Sequence, residues 1–333
     1  VRRGVRGTLG RSGMVAAAIG VLALLGALYL EGTPDVGAGA LEELLEQRRA
    51  EPAELIARGA GNRRIVVIGD VRGRGEPKRI AAEVLQRLAE GPGVDALVVG
   101  LDARHQSALD RYTATTPEDA SILTRAPGLI PEAEEGRALL ELFRSVYRLN
   151  QELGADRSIR LIAAAAGAWP PDEALSPRAA AQRFANRGAA MAERVESEIL
   201  GSTSGTRIVV LVDALQSLKG GGAELVAGGG EPLQVEWMAA ALRQRYPVDV
   251  YTALPDGALD VRGYPVVARY TGTSLNARLR RLTGGTYALP VAGPLRDDTA
   301  PLQVQTGPGV SLRFTPDQYT LRDVADVYVQ LGN

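Results

Sequence analysis

The chain contains no cysteine and a single histidine, His105. The first absence excludes disulfides, thiolate metal sites, a cysteine nucleophile and lipid attachment through an N-terminal Cys. It says nothing about redox compartment, because a cysteine-free chain is stable in either. The second leaves one side chain whose ordinary pKa lies near neutrality. A zinc site would have to draw nearly all its ligands from carboxylates. Aromatic residues make up 5% of the 333, and the formal net charge is -1. Neither a base-stacking surface nor a basic field is available, so nothing points to nucleic acid. Hydrophobic residues at 45% and charged residues at 23% are ordinary for a globular fold of one large or two small domains. Arginine far outnumbers lysine, so no single arginine is diagnostic.

One long apolar run is present. Arg2, Arg3, Arg6 and Arg11 precede an uncharged stretch over residues 12–30. At about 1.5 Å per residue it spans a hydrocarbon core of roughly 30 Å. The expectation is a basic cytoplasmic segment at 1–12 and a transmembrane helix at 13–30. Glu31 and Asp35 follow the run, so the positive-inside rule puts the remainder outside the cytoplasm. The chain then reads as a single-pass cell-membrane protein with the lipid bilayer as its partner. A cleaved signal peptide ending at Ala38-Gly39-Ala40 is the competing reading. Two acids and Pro34 stand between that site and the apolar run.

Residues 31–60 read as a linker followed by an amphipathic helix over 41–57, with Leu41, Leu44, Leu45 and Leu55 on one face. Residues 61–333 read as one α/β domain. Buried strands are predicted at 64–70, 96–100, 158–164 and 207–212. They alternate with helices at 77–90, 134–152, 177–200 and 235–246. A short strand at 248–251, short strands and turns after 254 (such as 264–270 and 310–314) and a last helix–strand unit at 321–331 complete it. The glycine-rich stretch 220–230 reads as a loop, either a lid or plain surface. The fold class is a mostly parallel central sheet flanked by helices.

In such sheets ligands bind beyond the carboxyl ends of the strands. Asp70, Arg72 and Arg74 follow the first strand, and Asp102, Arg104 and His105 the second. Trp169 and Asp172 follow the third, and Asp213, Gln216 and Lys219 the fourth. The Gly-Asp-Val-Arg-Gly-Arg-Gly stretch at 69–75 matches neither G-x-x-x-x-G-K-[ST] nor G-x-G-x-x-G. Arg72 and Arg74 with helix amides could hold an anion there; otherwise the loop is solvated. Asp70, Asp102 and Asp213 could converge on a divalent cation, or serve as turn formers and caps. His105 could be a general base or a surface residue. No G-x-S-x-G elbow is present for a serine triad.

The order of elements from 64 to 331 resembles the superfamily of erythromycin-esterase-like proteins and haem-binding, iron-regulated ChaN-like proteins. Its members open with a strand ending in Gly-Glu-x-His or Gly-Glu-x-x-His, which Gly69-Asp70-Val71-Arg72-Gly73 matches with the acid but without the histidine. Asp102, after Val99-Gly100-Leu101, matches a second acid. The run from Leu142-Phe143-Arg144 to Leu149-Asn150 is similar to a helix ending in Arg and Asn. Arg187 to Met191 looks like the Arg-x-x-x-Met helix, whose arginine faces the site. Asp213-Ala214-Leu215-Gln216 occupies the turn of a second histidine, with Gln216 in its place. Ala325-Asp326 falls in the closing unit.

The resemblance implies a scaffold that has lost both signature histidines. Arginine stays protonated and glutamine neither shuttles protons nor binds metal at neutral pH. The first functional expectation is therefore a non-catalytic domain binding a small anionic ligand through Asp70, Arg72, Asp102, Arg187, Asp213 and Gln216, with the acids orienting the arginines. The second is a divergent hydrolase in which Asp70 or Asp102 activates water and Arg187 stabilises developing charge. The third is a membrane-tethered interaction scaffold. No cofactor is expected. Haem would need His105 or a tyrosine such as Tyr112 as axial ligand, and neither of these falls on a matched position.

Overall fold

The structure, a computed structural model, describes residues 42–43, 45–131, 133–167, 175–201, 205–227, 229–256, 266–270, 285–292, 295, 299–300, 302–306, 310–315 and 319–332. The apolar run at 13–30, the linker, Ala38-Gly39-Ala40, Trp169 and Asp172 lie outside the described residues. Among the described residues no helix is long and apolar enough to cross a membrane.

The elements run α1 (Pro52–Ala60), β1 (Ile65–Asp70), α2 (Glu76–Glu90), β2 (Ala96–Asp102), α3 (Gln106–Ala114), α4 (Ser121–Thr124), α5 (Ala133–Leu153) and β3 (Arg160–Ala165). Then come α6 (Pro177–Val195), β4 (Ile208–Asp213), β5 (Gly222–Ala227), β6 (Leu233–Glu236), α7 (Met238–Arg245) and β7 (Val250–Pro255). Last are β8 (Val266–Tyr270), β9 (Tyr287–Pro290), β10 (Thr299–Ala300), β11 (Leu302–Thr306), β12 (Val310–Thr315), β13 (Tyr319–Thr320), α8 (Leu321–Val324) and β14 (Val327–Gln330). Seven strands form one sheet in the order β3-β2-β4-β1-β7-β14-β9. Every pairing in it is parallel except that of β9 with β14.

The β-branched runs are continuous because both faces of this sheet are covered. Alternate residues of a strand enter different cores. Val66 and Ile68 of β1 pack with Leu97, Val209 and the apolar stripes of α1, α2 and α5. Ile65 and Val67 pack with Val98, Val210 and residues of α6 and α7, including Met191 and Leu242. The parallel α/β expectation is therefore met at the level of layers and strand order.

Three predicted elements are corrected. The helix over 41–57 breaks at Arg49–Ala50, and a new helix begins at Pro52. Proline lacks an N–H and disfavours helical backbone in the residue before it. Glu51 caps the new start, its carboxylate accepting from Ala53 and Glu54 N–H at 2.8 Å. The stretch 220–230 is neither lid nor plain loop, since β5 pairs antiparallel with β6 and β12. The helix predicted over 235–246 begins only at Met238, because residues 233–236 supply β6. β5 and β6 are neighbours in sequence and pair locally, while β12 joins β5 from far along the chain.

Candidate functional site

Asp70 and Asp213 end β1 and β4 and are register partners, so two carboxylates stand side by side at the carboxyl edge of the sheet. A cavity of about 490 Å³ opens there, and Asp70, Arg72, Lys78, Glu135, Arg187 and Asp213 supply its charged lining. Leu101, Leu139, Phe184 and Leu215 are among its apolar walls.

Each acid has its own cation. Arg187 projects from α6 and donates through Nη1 to Asp213 Oδ2. Gly188 beside it lets α6 approach β6 closely, since a Cβ there would lie 2.0 Å from the Glu236 carbonyl oxygen. Asp70 pairs with Lys78, not with an arginine: Lys78 Nζ donates to Asp70 Oδ1 at 2.6 Å, Glu135 Oε1 at 3.1 Å and the Arg74 carbonyl at 3.1 Å. Those three acceptors match the three hydrogens of an ammonium group. Glu135 Oε2 also accepts from Gly73 N–H at 2.7 Å, tying α5 to the β1–α2 loop. Burial pushes the Asp70 carboxyl up to about 6, with the Glu135 charge adding to the rise, although the Lys78 ammonium pulls it down. Asp70 is thus a carboxyl able to exchange a proton near neutrality.

The other predicted residues separate. Arg72 lines the cavity and is exposed, with no ion pair to another described residue. Arg74 is turned away, donating to Glu76 Oε1 at 2.7 Å and to the Gly332 carbonyl. Asp102 does not join Asp70 and Asp213, because the β2–β3 register slips between Val99 and Asp102. It caps the turn at Ala103–His105, accepting from Arg104 N–H at 3.0 Å, and pairs with Arg104 Nε at 3.2 Å. Gln216 is fully buried behind the cavity, where its Oε1 accepts from Met238 N–H at 3.0 Å and holds the start of α7. Lys219 pairs with Asp326 at 2.6 Å.

Residues raised for cofactors lie elsewhere. Among the described residues no group of three or more His, Asp or Glu is placed to hold a metal ion. His105 is buried in a neighbouring groove, and the Tyr112 hydroxyl donates to Glu118 at 2.8 Å. Asn150 brackets Ile159 through both its amide atoms, fastening α5 to the segment before β3.

Lys78 and Glu135 are the charged members of the cavity that sequence reasoning missed. A usable signal exists: only two of the 38 cationic side chains are lysines, Lys78 and Lys219. Lys78 is buried and Lys219 partly buried, each against an aspartate.

No family model matches the chain, and no curated protein matches it in sequence. Among solved structures it is similar to a succinoglycan biosynthesis protein, with a TM-score of 0.63 and 12% identity over 90% of this chain and 98% of that one. A Bacillus cereus protein gives 0.60 and 12% identity over 89% and 97%. Erythromycin esterase EreC in an open conformation gives 0.50 and 12% identity over 84% and 92%. At such identities the likeness speaks for the fold alone. The chain thus shares the α/β fold of erythromycin esterase, the fold its order of strand-end elements implies.

Proposed function

We propose that this domain binds a small anionic ligand in the strand-end cavity without turning it over. The observation that carries the reading is the convergence of Arg187 from α6 and Arg72 from the β1–α2 loop on one cavity at the carboxyl edge of the sheet. A guanidinium presents paired donors to a carboxylate or phosphate. The ligand's anion would take over from Asp213, and its apolar part would lie against Leu139 and Phe184. The non-catalytic reading is supported by the two positions matched to histidines. One falls on Arg72 or Gly73, and the other is Gln216, committed to holding α7. The test is a thermal-shift screen of the full chain in detergent with phosphate and small carboxylates. A ligand that raises the melting point, and fails to do so with Arg187→Ala, supports the site. No shift from any anion would sink it.

A second reading, a divergent hydrolase, is favoured by the raised pKa of Asp70. A carboxyl near 6 is suited to accept a proton from water at neutral pH. Arg187 would then stabilise the developing oxyanion. Ester hydrolysis abolished by Asp70→Asn, with ligand binding retained, would establish this reading over the first.

The same proposal places the domain outside the cytoplasm, anchored by residues 13–30; the support is the apolar run and its one-sided arginines. Alkaline carbonate should leave the full chain in the membrane pellet and release a variant lacking residues 13–30. Release of both would reject the anchor.

A further inference from the structure

A second depression, of about 980 Å³, lies beside the strand-end cavity between α3, α4 and the loop that follows α4. Its lining carries Arg104, Arg111 and Arg125 against a single carboxylate, Asp119. Residues 104, 107, 108 and 111 repeat at helical spacing, so one face of the turn and α3 presents two of these arginines. Arg125 arrives from the end of α4. The Asp119 carboxylate is engaged by Ser121 N–H at 3.0 Å. Arg104 is partly balanced by Asp102, whereas Arg111 and Arg125 are exposed and make no ion pair with a described residue. Ser107 and Ser121 add hydroxyls to the lining.

The two depressions meet at Gly128, which lines both. Its φ of +74° is one that glycine adopts without strain, and a Cβ built there would meet only Arg104 Nη2, at 3.7 Å. The residue shared by the two linings thus carries no side chain, and each depression has guanidinium groups in its lining.

We propose that the arginine groove is a second anion subsite, continuous with the strand-end cavity across Gly128, and that the occupant is an elongated small molecule with an anionic group at each end. The proposal rests on the anion-binding reading of the cavity and extends it. One anionic group sits by Arg187 and Arg72, the connecting chain crosses Gly128, and the second group takes donors from Arg111 and Arg125. Charge on both ends makes binding steeply salt-dependent, because the groove's arginines are exposed.

The test is calorimetric titration of the full chain in nonionic detergent with orthophosphate, tripolyphosphate and a longer linear polyphosphate. Orthophosphate can occupy only one subsite at a time, chiefly the cavity where Arg187 and Arg72 converge, and the longer chains read cavity and groove together. The expected result is that polyphosphate binds at least about tenfold tighter than orthophosphate, and that Arg111→Glu with Arg125→Glu removes about that factor while leaving orthophosphate within about twofold. Both residues are exposed, so the pair should fold. Gly128→Asn, with a residue that tolerates positive φ, should likewise weaken the long ligand and spare the short one. Arg187→Ala should weaken both. Polyphosphate binding that ignores Arg111 and Arg125 overturns the proposal and leaves the cavity reading intact. Polyphosphate binding that needs Arg111 and Arg125 but ignores both Arg187→Ala and Gly128→Asn overturns the continuity and shows a separate groove. Binding of no anion rejects both readings.

Discussion

The two halves of the cavity are built from the same parts and differ in how tightly they are closed. In each, an aspartate ending a central strand meets a cation from a flanking helix. At the β1 end, Lys78 is 2% exposed and all three of its ammonium hydrogens have acceptors. At the β4 end, Arg187 is 11% exposed, but its partner Asp213 is 38% exposed. A saturated, buried ammonium can gain nothing from a ligand. A guanidinium whose carboxylate partner is partly in water can exchange it for a ligand's anion. The β1 half therefore reads as the frame and the β4 half as the receiving side.

The largest effect expected from that contrast is on stability. Lys78→Met should lower the free energy of unfolding by about 3 kcal/mol at neutral pH, because Asp70 and Glu135 are left as neighbouring, largely buried carboxylates. Urea denaturation measures it. Adding Asp70→Asn and Glu135→Gln should restore much of the loss, since replacing a whole buried ion cluster by neutral groups is far less costly than breaking it. A loss below that expected for a surface ion pair would make the two halves alike. Gly188→Ala should follow at about 2 kcal/mol, as the new methyl pushes α6 off the Glu236 carbonyl. It should also weaken anion binding by displacing Arg187, which a stability defect elsewhere would not do.

The contrast also explains what the sequence could disclose. The central strands were legible because both faces of the sheet are buried, which makes each strand a continuous apolar run ended by Gly69-Asp70 or Val212-Asp213. That pattern led directly to Asp70 and Asp213, whereas Arg187 came only from the resemblance of its helix to the Arg-x-x-x-Met helix of the erythromycin-esterase-like and ChaN-like proteins. The closed half was not legible. Lys78 lies in the first turn of α2 and Glu135 in the first turn of α5, positions where charged residues usually face solvent. Their meeting depends on how α2 and α5 pack, which no local period records. Asp102 failed for a different reason: a one-residue register slip redirects a side chain, and sequence carries no sign of it.

A smaller effect separates the halves by pH. The Asp70 carboxyl is raised to about 6 in the folded chain by burial, from an ordinary value of 3.8. Folded protein then binds more protons than unfolded protein between those values. This contribution to stability is fully present only below about pH 4 and is lost as pH rises through 6, a change of about 2 kcal/mol between pH 4 and 7. Urea midpoints from pH 4 to 7 should show that downward component in the parent chain and lack it in Asp70→Asn. The same slope persisting in Asp70→Asn would assign the proton to another group.

The smallest stability effect is expected where the functional effect is greatest. Arg187→Ala breaks an ion pair whose carboxylate is 38% exposed, and water can take over at Asp213. Pairs of that exposure are worth about 1 kcal/mol or less. The variant should therefore unfold within that margin of the parent, yet lose the stabilisation that an anionic ligand confers. Lys78→Met should show the opposite, a large stability loss with anion binding that survives wherever the chain still folds. If Arg187→Ala instead costs as much as Lys78→Met, the β4 half is also part of the frame, and neither cation is available to hold a ligand.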